Sequence, residues 1–309
     1  MRTPAYLSPT SINLFVKSPE DFYLRYLCDT KLPREPQTQP MSIGSSFDAY
    51  CKSYLYEKLF GKSRLQGSEF ELETIFEAQV EPHNRTWALE HGKLVFEQYK
   101  KAGCIADLML ELNSAIGEPR FELSLQDTIE TEVGGVPLLG KPDVAFTNSE
   151  SARVVYDWKV NGYCAPRNTS PMKGYINLRP GNKTHRDCHL LRYKGIMINI
   201  AMCLEDGNTT WADQLCIYSW LLGEAIGSEE VIFGIDQIVG PANKLRFAQH
   251  RLRIRPEYQF NLLAVIEDLW SSIIEGHIFR DMSVEDSRAR CDLLDACNNS
   301  DPDLLEACE

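Results

Sequence analysis

The chain has 309 residues, 43% hydrophobic and 25% charged, the make-up of an ordinary folded protein with a sizeable core. No apolar run approaches the roughly 18 residues of a membrane helix, and the opening residues lack the apolar stretch of an export signal, so a cytoplasmic protein is expected. A net charge of −12 excludes a surface that coats nucleic acid without regard to position. The ten cysteines are scattered, with no C-x-x-C pair, which predicts reduced thiols rather than a disulfide scaffold.

In chain order, Ser8 and Pro9 predict a helix start, an N-cap followed by a proline at the first helical position, with Ile12, Leu14 and Phe15 on the apolar side. Ser18 and Pro19 break it, and residues 20–27 start another helical turn with inward aromatics. Residues 33–40 read as a proline-rich loop. A second helix then begins near Ile43, with Phe47, Cys51 and Leu55 along one side and Asp48 at the border of that stripe. The period of Leu72, Ile75, Phe76, Trp87, Leu94 and Phe96 predicts helix through residues 69–115. Strand composition follows at 121–125, 136–146 and 154–156, the last two joined by a polar turn at Asn148, Ser149, Glu150 and Ser151.

Residues 161–190 are rich in Pro, Gly, Asn and Arg without periodicity and predict a long loop. From Trp158 to Gly195 there are eight basic residues and one acid, and from Asp281 to Glu309 nine acids and two basic residues. A basic segment on an acidic body suits a polyanion held in one place. Residues 209–222 are the clearest helix, 231–239 and 245–254 read as strands, and 256–278 as a long amphipathic helix. Arg246, Arg251, Arg253 and His250 read as a solvated face of the second strand.

The chemistry concentrates at the hairpin. A period of two puts Asp157 and Lys159 on one face of their strand and Trp158 on the other, with Asp143 at the end of the strand before. Charges inside a strand core cost free energy unless paired or metal-bound. Gly140, Lys141, Pro142 and Asp143, followed by Asp157, Trp158 and Lys159, resemble the signature of the PD-(D/E)XK nuclease superfamily. The opening Leu7, Ser8 and Pro9 with Phe22 to Tyr26, and Gln214 with Tyr218 as Q-x-x-x-Y, are similar to the RecB-like exonuclease branch.

The resemblance implies a restriction-endonuclease-like α/β core, a mixed central sheet flanked by helices. It implies a helical N-terminal part over 1–118, a core over 119–280 with a basic insertion at 161–208, and an acidic tail over 281–309. It also implies DNA cleavage with Mg²⁺ or Mn²⁺ bound by Asp143, Asp157 and the backbone carbonyl of Trp158. Lys159 would orient or deprotonate the attacking water, and Gln214 and Tyr218 would position that lysine or a DNA phosphate. The branch usually carries a histidine four residues after the glycine of the second helix. Here Gly44 is followed by Asp48, a harder ligand expected to shift preference towards Mg²⁺. Some relatives bind an iron–sulfur cluster through a cysteine before a proline. Ser18 holds that position here and no paired cysteines follow, so no cluster is expected.

Structural readings stand beside these. Asp143 could cap a turn, Asp157 and Lys159 could be a plain ion pair, and Gln214 and Tyr218 could edge the core. Asp48 is either a ligand or a solvated helix-side carboxylate, and Glu122 faces either the site or solvent. Arg167, Lys173, Arg179, Lys183 and Arg186 are candidate DNA contacts or ordinary surface. His185, Cys188 and His189 lack a fourth zinc ligand at a usual spacing. The expected partners are DNA, single-stranded or a duplex end, and a recombination or replication protein, with no membrane. The alternative function is a nuclease-fold DNA-binding or assembly subunit with weak or no turnover, for which Asp48 is the only hint.

Overall fold

A computed structural model describes residues 2–29, 35–121, 124–166 and 190–276. Glu122, the five basic candidates from Arg167 to Arg186, the His185, Cys188 and His189 group, and the acidic tail with its cysteines lie outside the described residues.

Helix α1 (Pro9–Lys17) starts as its sequence predicts. Ser8 caps it in a reciprocal pair: the Ser11 N–H donates to Ser8 Oγ at 3.3 Å and the Ser8 N–H to Ser11 Oγ at 2.8 Å. Ser18 ends α1 and caps α2 (Pro19–Phe22), which runs into a wide turn at Tyr23–Leu27. Helix α3 (Gln39–Phe60) buries Phe47, Cys51 and Leu55 on one stripe. After the short α4 (Lys62–Leu65), the predicted long helical stretch is three helices, α5 (Leu72–Gln79), α6 (Arg85–Lys101) and α7 (Cys104–Asn113). Gly92 lets α6 lie on α3, since a Cβ there would stand 2.0 Å from Ser46 Oγ.

Among the described residues the main sheet has five strands in the order β1 (Arg120–Phe121), β4 (Val144–Thr147), β5 (Arg153–Asn161), β8 (Val231–Val239) and β9 (Arg246–Leu252). Strands β5 and β8 are parallel over their whole length, and the other pairs are antiparallel. A separate ribbon pairs β2 (Leu125–Thr131) with β3 (Gly134–Gly140), and a hairpin pairs β6 (Leu190–Tyr193) with β7 (Ile196–Asn199). The short α8 (Leu204–Gly207) precedes α9 (Thr209–Leu221), and α10 (Pro256–Glu275) closes the described chain. Both helices start where predicted, but α9 ends at Leu221 and α10 at Glu275, where a left-handed Gly276 caps it, short of the predicted ends at 222 and 278.

Alternation along β5 sorts the core into two layers. Val155, with Phe233 and Ile235 of β8, packs with α1, α9 and α10. Val154, Tyr156 and Trp158, with Ile232 and Ile238, pack with α3, α6 and α7. The β5–β8 core strands are buried almost end to end, as parallel strands covered on both faces should be.

Three expectations are corrected. Residues 136–146 are not one strand: the chain leaves the β2–β3 ribbon at Gly140 and joins the main sheet at Val144. Pro142 offers no N–H to a ladder, so the break falls where a continuous strand would lose a bond. Residues 190–199, read at the end of a loop and left unassigned after it, form the β6–β7 hairpin. Arg251 is not solvated but 6% exposed, and it pairs with Asp236 and Glu111 beneath the sheet.

Candidate active site

The break between β3 and β4 puts Asp143 at the mouth of the β4–β5 hairpin. Its Oδ2 accepts the backbone N–H of Trp158 at 2.9 Å, which ties the two halves of the sequence signature together. Gly140 makes this approach possible: a Cβ there would meet Tyr218 Cδ1 at 2.6 Å and Leu221 Cδ1 at 2.7 Å. Helix α9 therefore seats directly on the chain just ahead of Asp143.

Asp157 and Lys159 share the α9 face of β5, and their carboxylate and ammonium form a close ion pair. Lys159 Nζ also donates to Gln214 Oε1 at 2.8 Å. The Gln214 amide nitrogen donates to Tyr218 Oη at 2.8 Å and approaches Asp157 Oδ1 at 3.4 Å. Gln214 and Tyr218 are one helical turn apart, so the helix delivers both to the same strand face. Burial, aided by the charge of Asp157, pushes the Tyr218 phenol upwards and keeps it protonated as Gln214's partner. Trp158 points into the opposite layer, as the alternation predicts.

Asp48 reaches the same place from α3. It is not solvated: its Oδ2 accepts from Lys52 Nζ at 2.6 Å and from the Gln79 amide at 2.9 Å. Lys52 Nζ also lies 3.4 Å from Asp143 Oδ1, and the lysine is 1% exposed. Lys52 and Gln79 are components that the sequence reading missed. The available signal was modest: Lys52 stands one turn after Asp48 and next to Cys51 of the buried stripe.

The electrostatics are those of an acid-rich pocket. Burial and then the charge of Asp143 push Asp157 up to about 7 against the pull of Lys159. Burial likewise raises Asp48 to about 7, with Lys52 opposing and Asp143 adding to the rise. Three carboxylates face two ammoniums. Asp48 Oδ1 is buried without a hydrogen-bond partner, and Asp157 Oδ2 meets Lys159 only as an ion pair outside hydrogen-bond geometry. An oxygen-only donor set short of positive charge fits a hard divalent cation better than a soft one. As the side chains stand, no three His, Cys, Asp or Glu groups among the described residues converge tightly enough to enclose an ion. The Lys52 ammonium lies between two of the acids.

A mixed sheet with helices on both faces and an Asp-x-Lys strand beside a second aspartate is a restriction-endonuclease-like nuclease fold. The sequence profile of the PD-(D/E)XK nuclease superfamily matches residues 6–175, more than half of the chain, and the chain belongs to that superfamily. The matched span contains Asp48, Asp143, Asp157 and Lys159 and ends before Gln214 and Tyr218. Nuclease activity, DNA as ligand and divalent metal ions are what membership implies. A solved structure described as the crystal structure of SSO0001 is 11% identical and covers 89% of this chain and 96% of its own, at a TM-score of 0.28, too low to carry an argument. No curated protein matches the sequence. No described helix is long and apolar enough to cross a membrane.

Proposed function

We propose that this chain is a metal-dependent DNA nuclease of the RecB-like branch that digests DNA from an end. One observation carries the reading: Asp157, Lys159, Gln214 and Tyr218 form a continuous chain of contacts, with Asp143 fixed beside it by the Trp158 backbone. In this reading Asp143, Asp157 and the Trp158 carbonyl hold Mg²⁺ or Mn²⁺, with Asp48 as a further acid of the site. When bound, such an ion supplies charge neutralisation at the scissile phosphate and makes a water more acidic.

The side chains supply the rest. Lys159 orients the attacking water and stabilises charge that develops on the phosphoryl oxygens. Gln214 Oε1 accepts a hydrogen bond from the ammonium, which fixes where Lys159 can point, and Tyr218 holds the amide so that its oxygen faces the lysine. Arg167, Lys173, Arg179, Lys183 and Arg186 contact DNA phosphates and hold the strand on an otherwise acidic body. A recombination or replication protein is the partner class that this activity suits.

The test is cleavage of end-labelled linear DNA and closed circular DNA with Mg²⁺ or Mn²⁺, comparing wild type with Lys159→Ala. Metal-dependent loss of linear DNA alone, absent in the variant, is expected. Cutting of circles would replace the end-dependent reading with an endonuclease. Absence of cleavage by folded protein with either metal would favour the binding or assembly role. Neutralising Arg179, Lys183 and Arg186 together should weaken DNA binding, and unchanged binding would remove the basic segment from the interface.

A further inference from the structure

Lys52 belongs to no part of the signature, yet it is the most deeply buried charge at the site. It is 1% exposed and lies on α3 between Cys51 and Ser53, both buried, so its stem is packed rather than free to swing outwards. Its ammonium donates to Asp48 Oδ2 at 2.6 Å and reaches Asp143 Oδ1 at 3.4 Å. Gln79 donates to the same Asp48 oxygen at 2.9 Å, so that carboxylate is held from two elements and turned towards the lysine. A divalent ion bridging Asp48 and Asp143 would have to stand where the ammonium already stands, or within a few ångströms of it. Two cations at that distance in a buried site repel each other strongly.

We infer that Lys52 is a positioning residue, a built-in cation that occupies the place between Asp48 and Asp143 and restricts this site to a single divalent ion. The inference rests on the proposed metal site at Asp143 and Asp157. Asp48 then serves mainly to anchor Lys52, and Lys52 sets the orientation of Asp143 from the side opposite the Trp158 N–H. A merely structural lysine would contribute stability without changing how many ions bind.

The experiment is Mn²⁺ binding, followed by isothermal calorimetry and by the spin-resonance signal of free Mn²⁺. Wild type, Lys52→Met, Lys52→Arg and the neutral pair Asp48→Asn with Lys52→Met are compared, with Asp143→Asn locating the ion. Wild type should bind one ion and Lys52→Met two, with Lys52→Arg keeping one. The neutral double variant should bind one ion about 10-fold more tightly than wild type, because repulsion is removed without restoring the second acid. That variant removes the Asp48 charge together with its cation and leaves Asp143 the Trp158 N–H, so it keeps the test available if Lys52→Met folds only with metal. Two ions in wild type, or one ion of unchanged affinity in both Lys52→Met and the double variant, would overturn the inference. Failure of wild type to bind at millimolar Mn²⁺ would count against the metal site itself. In that case, binding by Lys52→Met alone would still support the role of the lysine, and binding by neither would remove both.

Discussion

Two clusters of buried charge sit on opposite faces of the same pair of strands, and they are built to different ends. Beneath the sheet, Asp236 of β8 accepts from Arg251 at 3.0 Å, from Gln249 at 3.0 Å and, in a short contact, from Tyr99. Arg251 Nε is shared between both oxygens of Glu111 at 3.1 Å, and its guanidinium carbon lies 4.6 Å from the Tyr156 ring centroid. Both oxygens of Asp236 are used, although Arg251 Nη2 finds no acceptor. On the other face Asp157 and Lys159 contact each other, while Asp48, which comes from α3 on the Asp236 side, keeps an unpartnered oxygen. The first cluster is nearly closed. Each cluster holds one more carboxylate than cations, but only the second leaves carboxylate oxygens, Asp48 Oδ1 and Asp157 Oδ2, without hydrogen bonds, as expected of a site that awaits a ligand.

The sharpest way to break that contrast is to remove one member from each cluster. Arg251→Ala should destabilise the protein by about 3–5 kcal/mol, because it strands Asp236 in the core, and denaturant unfolding would measure it. Lys159→Ala should lower DNA cleavage by about 10²–10³-fold, read as initial rates, while its unfolding midpoint stays near wild type. Similar stability losses in both variants would dissolve the distinction.

A subtler test uses pH. The Asp157 carboxyl is raised in the folded chain, so the folded state holds its proton more tightly than the unfolded state does. That stabilisation is complete below the unfolded value near 4 and is lost as pH rises through about 7. Metal-free Asp157→Asn should therefore melt about 2–5 °C above wild type at pH 8 and show little difference at pH 4, as scanning calorimetry would detect. The smallest effect is expected at Gln214→Ala, about 10-fold in cleavage rate, since Lys159 keeps Asp157 when the amide is gone. A loss equal to that of Lys159→Ala would instead make the glutamine indispensable.

Much of the site was legible because its cues are local. Asp157 and Lys159 share a face by alternation, Gln214 and Tyr218 by helical period, and Ser8 and Pro9 announce their own helix. The break at Lys141 to Asp143 was hidden by apolar residues on both sides, which read as one strand although they serve two sheets. Arg251 misled because alternation along β9 cannot reveal Glu111, an acid on a distant helix that makes burial tolerable. Lys52 escaped for a related reason: its second acid, Asp143, lies far along the chain, and only the fold brings them together.

The parallel pairing of β5 with β8 also orders events on the ribosome. A nascent chain ending near residue 200 already carries Asp48, Lys52, Asp143, Asp157 and Lys159. It lacks α9, which covers one face of β5, and β8, which completes its hydrogen bonding. Until those segments emerge, β5 has only β4 beside it and an apolar face open to solvent. The acids and the lysine are thus synthesised well before the scaffold that presses them together. The contacts of Lys159 with Gln214 and of Gln214 with Tyr218 can therefore form only once α9 has emerged, after every charged member of the site has been made.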